Sequence, residues 1–70
     1  MVVFKVKELL EKNKISRYKL RQYTNLSYDR INDYFFGRVK AIKIDEIEQL
    51  CSTFNCNIQD IVEYKKITYN

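Results

Sequence analysis

The side chains that could do chemistry concentrate between residues 12 and 43. Nine lysines and arginines lie there with two aspartates, a net charge of +7, whereas the whole chain carries +4. Residues 44–64 hold five acidic residues and no basic one. Such asymmetry indicates a polyanionic partner for the first half, because Lys and Arg supply the charged donors that phosphate groups accept. The distribution of charge alone is equally consistent with ordinary solvated surface residues that bind no partner.

Catalytic chemistry finds little support in the sequence. The chain has no histidine, so the usual general base near neutral pH is absent. Cys51 lies on an apolar helical stripe, and Cys56 has no histidine partner that would make it a nucleophile. Two thiols cannot form a zinc site, which needs about four ligands, and a chain with one glycine has no phosphate-binding glycine loop. We therefore expect no enzymatic activity, no metal and no cofactor.

The composition is that of one small helical domain. Seventy residues leave room for a single core, and 46% hydrophobic residues are enough to build it. One glycine and no proline suit short helices with tight turns better than a β-sandwich or barrel. No apolar run approaches the roughly 18 residues of a membrane span, and MVVFKVK is too short and too charged for a signal peptide. We expect a cytoplasmic protein with reduced cysteines, no membrane partner and no small-molecule ligand.

Apolar residues at helical spacing predict an all-α fold of five helices. The helices are expected at residues 5–13, 17–24, 28–36, 44–54 and 57–64, in one domain over residues 1–70 with its core at about 5–64. The buried faces of the last two are expected to be Ile44, Ile47, Leu50, Cys51 and Phe54, and then Ile58, Ile61 and Val62. Core-filling tyrosines are expected to be Tyr18, Tyr23 and Tyr34. The β-prone ends, residues 2–4 and 67–69, could pair with each other, pair across a dimer or fray.

Only about four residues, TNLS, separate the second and third helices. Ser16 and Ser27 can each cap the helix that follows by accepting a backbone N–H. Asn25 tolerates the left-handed conformation that would end the second helix, and the apolar Leu26 can fill the space between the two. Two short helices joined in this way form a helix-turn-helix unit, and Gly37 is a natural stop for its second helix.

The second helix of such a unit enters the major groove of DNA, where its N-terminal end and outer face reach base edges. Candidates for base contacts are Tyr28, Asp29, Arg30, Asn32 and Asp33. Asn32 suits an adenine edge and Arg30 a guanine edge, while the two acids can accept from cytosine or hold Arg30. Candidates for phosphate contacts are Arg17, Lys19, Ser27, Arg38, Lys40 and Lys43. Each of these basic residues could instead be ordinary surface charge.

Three segments together resemble the Cro-and-repressor, or XRE-like, family of helix-turn-helix domains. They are ISRYKLRQYTNLSYDRINDYFFG, IDEIEQLCSTFNC and NIQDIVEY, within a stretch from Val6 to Tyr64. The resemblance implies a lambda-repressor-like bundle of five helices that binds operator DNA, usually as a homodimer on a palindromic site. It also implies a regulator, commonly a repressor, of a bacterial, phage or mobile-element operon, with resistance operons among the candidates.

By position, the resemblance puts Arg17 at a phosphate contact and Tyr28, Asp29 and Asp33 at base-reading positions. Phe36 and Arg38 fall where the chain leaves the recognition helix, residues 28–36, beside the DNA backbone. The sequence therefore predicts a sequence-specific transcriptional regulator. The alternative is a protein-interaction module of the same fold, an antitoxin or anti-repressor, that binds a partner through the acidic helices of residues 44–64.

Overall fold

The computed structural model describes residues 1–66 of the chain. Four α-helices, one 3₁₀ turn and a two-stranded sheet follow one another along this stretch. They are β1 (Val2–Phe4), α1 (Val6–Asn13), α2 (Arg17–Tyr23), α3 (Tyr28–Phe35), α4 (Ile44–Phe54), the 3₁₀ turn Ile58–Asp60 and β2 (Val62–Tyr64). The first four predicted helices are confirmed to within one residue at each end. The prediction of a fifth helix is wrong, because residues 58–60 form a 3₁₀ turn and residues 62–64 form a strand. The prediction of an all-α fold is therefore wrong as well, since the four helices are accompanied by a small two-stranded sheet.

The sheet explains why the fifth helix stops after one turn. Asp60 accepts a hydrogen bond from the backbone N–H of Asn57 at 3.1 Å, as expected for a helix start. The β-branched Val62 then pairs with Phe4 in an antiparallel ladder that also joins Val2 to Tyr64. The β-prone N-terminus thus has its partner in residues 62–64. The expectation for residues 67–69 lies outside the described residues.

Serine side chains begin the two central helices as predicted. The hydroxyl oxygen of Ser16 accepts from the backbone N–H of Lys19 at 3.1 Å, and that of Ser27 accepts from Arg30 at 3.2 Å. Gly37 ends α3 with φ at +69°, and the backbone N–H of Arg38 reaches back to the carbonyl of Asp33 at 2.7 Å. This is a Schellman stop, which gives the last carbonyls of the helix their partners.

The turn between α2 and α3 is built differently from the prediction. Asn25 is not among the residues with positive φ; those other than glycine are Lys14 and Asn55, within the described chain. Thr24 instead takes an extended conformation, and its hydroxyl donates to the carbonyl of Leu20 at 2.8 Å and accepts from the N–H of Leu26 at 3.3 Å. A side chain therefore closes the turn, so no left-handed residue is required there.

One apolar core joins all four helices to the turn at Ile61. Its fully or nearly buried members are Val6, Leu10, Leu20, Leu26, Ile31, Tyr34, Ile47, Leu50 and Ile61. The predicted insertion of Leu26 between the helices is confirmed.

Ile44 and Ile58 were wrongly predicted to be buried: Ile44 is the first residue of α4 and is 77% exposed, and Ile58 is the first residue of the 3₁₀ turn and is also exposed. Tyr18 and Tyr23 are also exposed, each at 59%, because the seven-residue α2 buries only Leu20. No helix within residues 1–66 is long and apolar enough to cross a membrane.

Candidate nucleic-acid interface

The N-terminal end of α3 projects from the helix-turn-helix unit. Leu26 is 5% exposed and Ile31 fully buried, so the inner side of α3 is fixed against the core. Tyr28 and Asp29, in the first turn of α3, are both exposed. Asn32, one turn further along, is partly exposed. The first two turns of α3 therefore present an aromatic ring, a carboxylate and a carboxamide on one outward side.

Arg17 connects the start of α2 to the outer side of α3. Its Nη1 donates to Oδ1 of Asn32 at 2.6 Å. Its guanidinium carbon lies 4.6 Å from the centroid of the Phe35 ring, 5.4 Å from that of Phe36 and 5.8 Å from that of Tyr28. These distances are in the range of cation–π attraction. Its predicted phosphate contact stays a prediction.

Arg30 faces the start of α4. Its Nε donates to Oε2 of Glu46 at 2.9 Å, and its Nη2 donates to Oε1 of the same carboxylate at 2.5 Å. Nη2 also donates to the carbonyl of Ala41 at 3.1 Å. The predicted pairing with Asp33 is present as well, at 3.8 Å from Nη1. The guanine contact predicted for Arg30 stays a prediction.

Glu46 is the centre of this polar cluster. It is 6% exposed and also accepts from the hydroxyl of Tyr34 at 3.0 Å. The hydrogen bonds from Arg30 hold the pKa of Glu46 below its ordinary value, against the opposing effect of burial. Burial, together with the bond to Glu46, raises the pKa of Tyr34 to about 12. The cluster is thus an ionised pair with a neutral phenol at physiological pH.

Asp33 does not present a bare negative charge to an approaching polyanion. Its carboxylate lies 3.6 Å from Nε of Arg38 and 3.8 Å from Nη1 of Arg30. The guanidinium of Arg38 in turn lies 5.0 Å from the centroid of the Phe36 ring. Two guanidinium groups therefore offset the negative charge of Asp33, which lessens the repulsion between its carboxylate and an approaching phosphate backbone.

The remaining phosphate candidates are exposed residues at the start of α3, on α2 and on the connection that follows α3. Ser27, whose hydroxyl caps α3, is exposed at the helix N-terminus. Lys19 lies on α2, and Lys40 and Lys43 lie on the connection between α3 and α4; all three are exposed. None of these lysines forms an ion pair within residues 1–66. Their charges are free to meet phosphates, whose contacts supply most of the affinity in protein–DNA complexes.

Residues 5–66 match the family model of the Cro/C1-type HTH DNA-binding domain. The chain belongs to this family. A similar protein is the uncharacterized HTH-type transcriptional regulator YozG of Bacillus subtilis (strain 168). It is 25% identical over 64 residues, which cover 91% of this chain and 76% of that protein.

Family membership agrees with the helix-turn-helix formed by α2 and α3, but it does not account for Glu46 and Tyr34. The pairing of Glu46 with Arg30 was not predicted from the sequence. The two residues are sixteen positions apart, so no local spacing rule joins them. Tyr34 was expected in the core, which is confirmed, but the role of its hydroxyl was not foreseen.

The cysteines of this Cro/C1-type domain are free and lie on either side of the end of α4. The backbone N–H of Cys56 donates to the carbonyl of Cys51 at 3.0 Å, across the left-handed Asn55. Partial burial raises the pKa of the Cys56 thiol, which keeps it protonated. Residues 1–66 contain no group of three or more side chains arranged to hold a metal ion.

Proposed function

We propose that this protein is a sequence-specific regulator of transcription that inserts α3 into the major groove of operator DNA. The observation that carries the proposal is the exposed start of α3, with Tyr28 and Asp29, within a domain of the Cro/C1-type HTH family. Exposed lysines that form no ion pair within residues 1–66 lie on the preceding helix, at Lys19, and on the connection after α3, at Lys40 and Lys43. An exposed helix start together with free positive charge on the same domain is typical of groove binding.

The contacts divide into two kinds. We assign base contacts to the outward groups of α3, with Asn32 as the reader of adenine and Tyr28 stacked at the helix tip. Asp29 is the acid that can accept from cytosine, since Asp33 is engaged with two arginines. We assign phosphate contacts to Ser27, Lys19, Arg38, Lys40 and Lys43. Phosphate contacts fix the position on the duplex, while base contacts select the sequence.

Two copies of the chain would bind together and repress by occupying the operator. The eight residues of α3 extend over roughly 12 Å at 1.5 Å per residue, enough for one half-site only. Two half-sites about 34 Å apart, one turn of DNA, allow two copies to bind a palindrome on one face. Repression then follows from exclusion of the transcription machinery at that site.

Selection from a random pool of double-stranded DNA, at low and physiological salt, tests the proposal. An enriched inverted repeat with half-sites one helical turn apart is the expected result. Affinity for that motif should fall log-linearly with salt, with a slope of about −0.9 for each phosphate contacted. Weak binding that enriches no motif and disappears as salt rises would contradict it.

A second function is supported by the acidic side of the molecule. Exposed Tyr23 and Asn25 face α4 across a shallow groove, and the residues that line it on α4 are Asp45, Glu48, Gln49, Ser52 and Thr53. A basic segment of a partner protein would suit this groove, as in an antitoxin or anti-repressor. If a partner binds there, Glu48→Lys should abolish regulation in cells without changing the affinity for DNA. If Lys40→Ala abolishes regulation and Glu48→Lys does not, a partner at this groove is excluded.

A further inference from the structure

We infer that Arg17 is a positioning residue that fixes the carboxamide of Asn32 for base recognition, in place of the phosphate contact expected from its position in the sequence. The inference rests on the proposed function, because it names which group selects a base within that interface. Four observations carry it: one hydrogen bond and three aromatic contacts of the same guanidinium.

The hydrogen bond settles which way the carboxamide points. A guanidinium has donors only, so the atom of Asn32 that lies 2.6 Å from Nη1 of Arg17 has to be the oxygen. The amide nitrogen then lies on the other branch of the carboxamide, away from Arg17. A solvent-exposed asparagine without such a partner exchanges these two atoms by rotation, and loses that freedom only when DNA binds.

The guanidinium of Arg17 is itself held in place. Phe35, Phe36 and Tyr28 surround it at 4.6, 5.4 and 5.8 Å from ring centroid to guanidinium carbon. The planar guanidinium can stack on such rings, whereas a lysine ammonium is a compact and strongly hydrated point charge. The rings therefore fix a donor that in turn fixes Asn32.

The fixed carboxamide suits one base better than the others. Asn32 Oδ1 keeps a second lone pair after it accepts from Arg17, and its Nδ2 keeps both donor hydrogens. An adenine edge offers the matching pair in the major groove, a donor at N6 and an acceptor at N7. With its carboxamide held in this orientation, Asn32 distinguishes adenine from the other bases, and its side chain loses no further rotational freedom when DNA binds.

Arg17→Lys is the informative variant because it keeps the positive charge and removes the fork and the stacking. On the selected operator, Asn32→Ala first identifies the base pair that Asn32 contacts, by its loss of preference among the four bases there. Arg17→Lys should lose roughly tenfold or more of the discrimination at that same base pair. The slope of affinity against salt should not change, and the double variant should discriminate no worse than Asn32→Ala.

Three results of these DNA-binding measurements would overturn the inference. Arg17→Lys could keep the base preference while Arg17→Ala weakens binding to every sequence equally and lowers the salt slope by about one, which is the behaviour of a phosphate contact. Asn32→Ala could leave all base preferences unchanged. Lys12→Gln, on α1, could lose the same discrimination as Arg17→Lys, in which case the loss is not specific to Arg17.

A measurement without DNA separates this inference from the proposed function. In the free protein, side-chain NMR relaxation should show an ordered Asn32 carboxamide, more ordered than that of the exposed Gln22. Arg17→Lys should restore its mobility, with an unchanged circular dichroism spectrum as evidence of folding. A mobile Asn32 in the wild-type protein would refute the positioning role. An ordered Asn32 in a protein that selects no DNA motif would refute the proposed function instead.

Discussion

Arg30 and Glu46 form a two-pronged ion pair, at 2.9 and 2.5 Å, that joins α3 to the first turn of α4. The same guanidinium donates to the carbonyl of Ala41, in the connection between these helices. One arginine thus links α3, the connection after it and α4. Because Glu46 is almost fully buried, the geometry of the pair is set by packing and not by the solvent.

Replacement of Glu46 by alanine should be strongly destabilising. The variant removes two hydrogen bonds of Arg30 and leaves the buried hydroxyl of Tyr34 without its acceptor. Removal of one member of a buried pair costs about 3 kcal/mol of unfolding free energy. Urea unfolding followed by circular dichroism measures the loss. Exposed Glu48, on the same helix, gives the matched control, and its change to alanine should stay within about 0.5 kcal/mol. Equal midpoints for the two variants would contradict the role assigned to Glu46.

Acid should unfold the protein partly through Glu46. Arg30 holds the pKa of Glu46 below the value near 4.5 that the group has in the unfolded chain. The unfolded chain therefore takes up this proton first on acidification. The stabilisation is fully present above about pH 4.5 and is lost as the pH falls through the lowered pKa of the folded state. Urea midpoints measured from neutral to acid pH should fall less steeply in Glu46→Gln than in the wild-type protein.

A second acid pair provides the control for that titration. Nζ of Lys5 lies 2.5 Å from the carboxylate of Glu63, and this contact lowers the pKa of Glu63. The pair lies at the surface, so salt should screen its contribution. At high salt, Glu63→Gln and the wild-type protein should share one acid profile, while Glu46→Gln still differs. If Glu46→Gln keeps the full acid dependence of the wild-type protein, the source of the acid sensitivity lies elsewhere.

Glycine should stabilise the chain at Lys14 and not at Asn25. Lys14 has φ at +55°, a conformation that is strained for any residue with a Cβ atom. Lys14→Gly should therefore raise the free energy of unfolding by about 0.5–1 kcal/mol. Asn25 is not left-handed, so Asn25→Gly only adds freedom to the unfolded chain and should cost about 0.5 kcal/mol. Thermal unfolding of both variants measures these two effects, and a stabilising effect of Asn25→Gly would contradict the prediction.

Lys40→Ala should weaken binding to all DNA sequences by the same factor. Lys40 is exposed, and its proposed partner is a phosphate, which carries no sequence information. The slope of log affinity against log salt should become shallower by about 0.9. Titrations of the operator and of a scrambled duplex at several salt concentrations measure both effects. Lys12→Ala, on α1, is the charge-matched control. A change of base preference in Lys40→Ala would place Lys40 among the base contacts.

Local chemistry made most of the helix-turn-helix unit predictable. Ser16 and Ser27 cap the helices after them because the bond spans only three residues, so sequence spacing is enough to find it. Gly37 was predictable for the same reason. The left-handed position predicted for Asn25 at the end of α2 is absent, because Thr24 closes that turn with its own side chain. Left-handed residues instead end α1, at Lys14, and α4, at Asn55, so residue propensity alone did not show which helix ends use this conformation.

Partners distant in sequence were beyond this kind of reasoning. Arg30 was predicted as a base contact from its place on α3, and only the packing of α4 shows that Glu46 lies within its reach. β2 was missed because a three-residue strand is decided by its partner and not by its own pattern, and that partner is at the other end of the chain. The same limit hid the link between Arg17 and Asn32, which lie on different helices.

The sheet also bears on the order in which the molecule assembles. Pairing of Val2 with Tyr64 requires closure of a loop that contains all four helices, and the entropy of that closure is lost before any bond of the ladder forms. The contacts between α2 and α3 close only a short turn and can form early. We therefore expect the strands to join last in folding and to exchange their amide hydrogens first. Transient opening of the ends would then leave the helix-turn-helix unit intact.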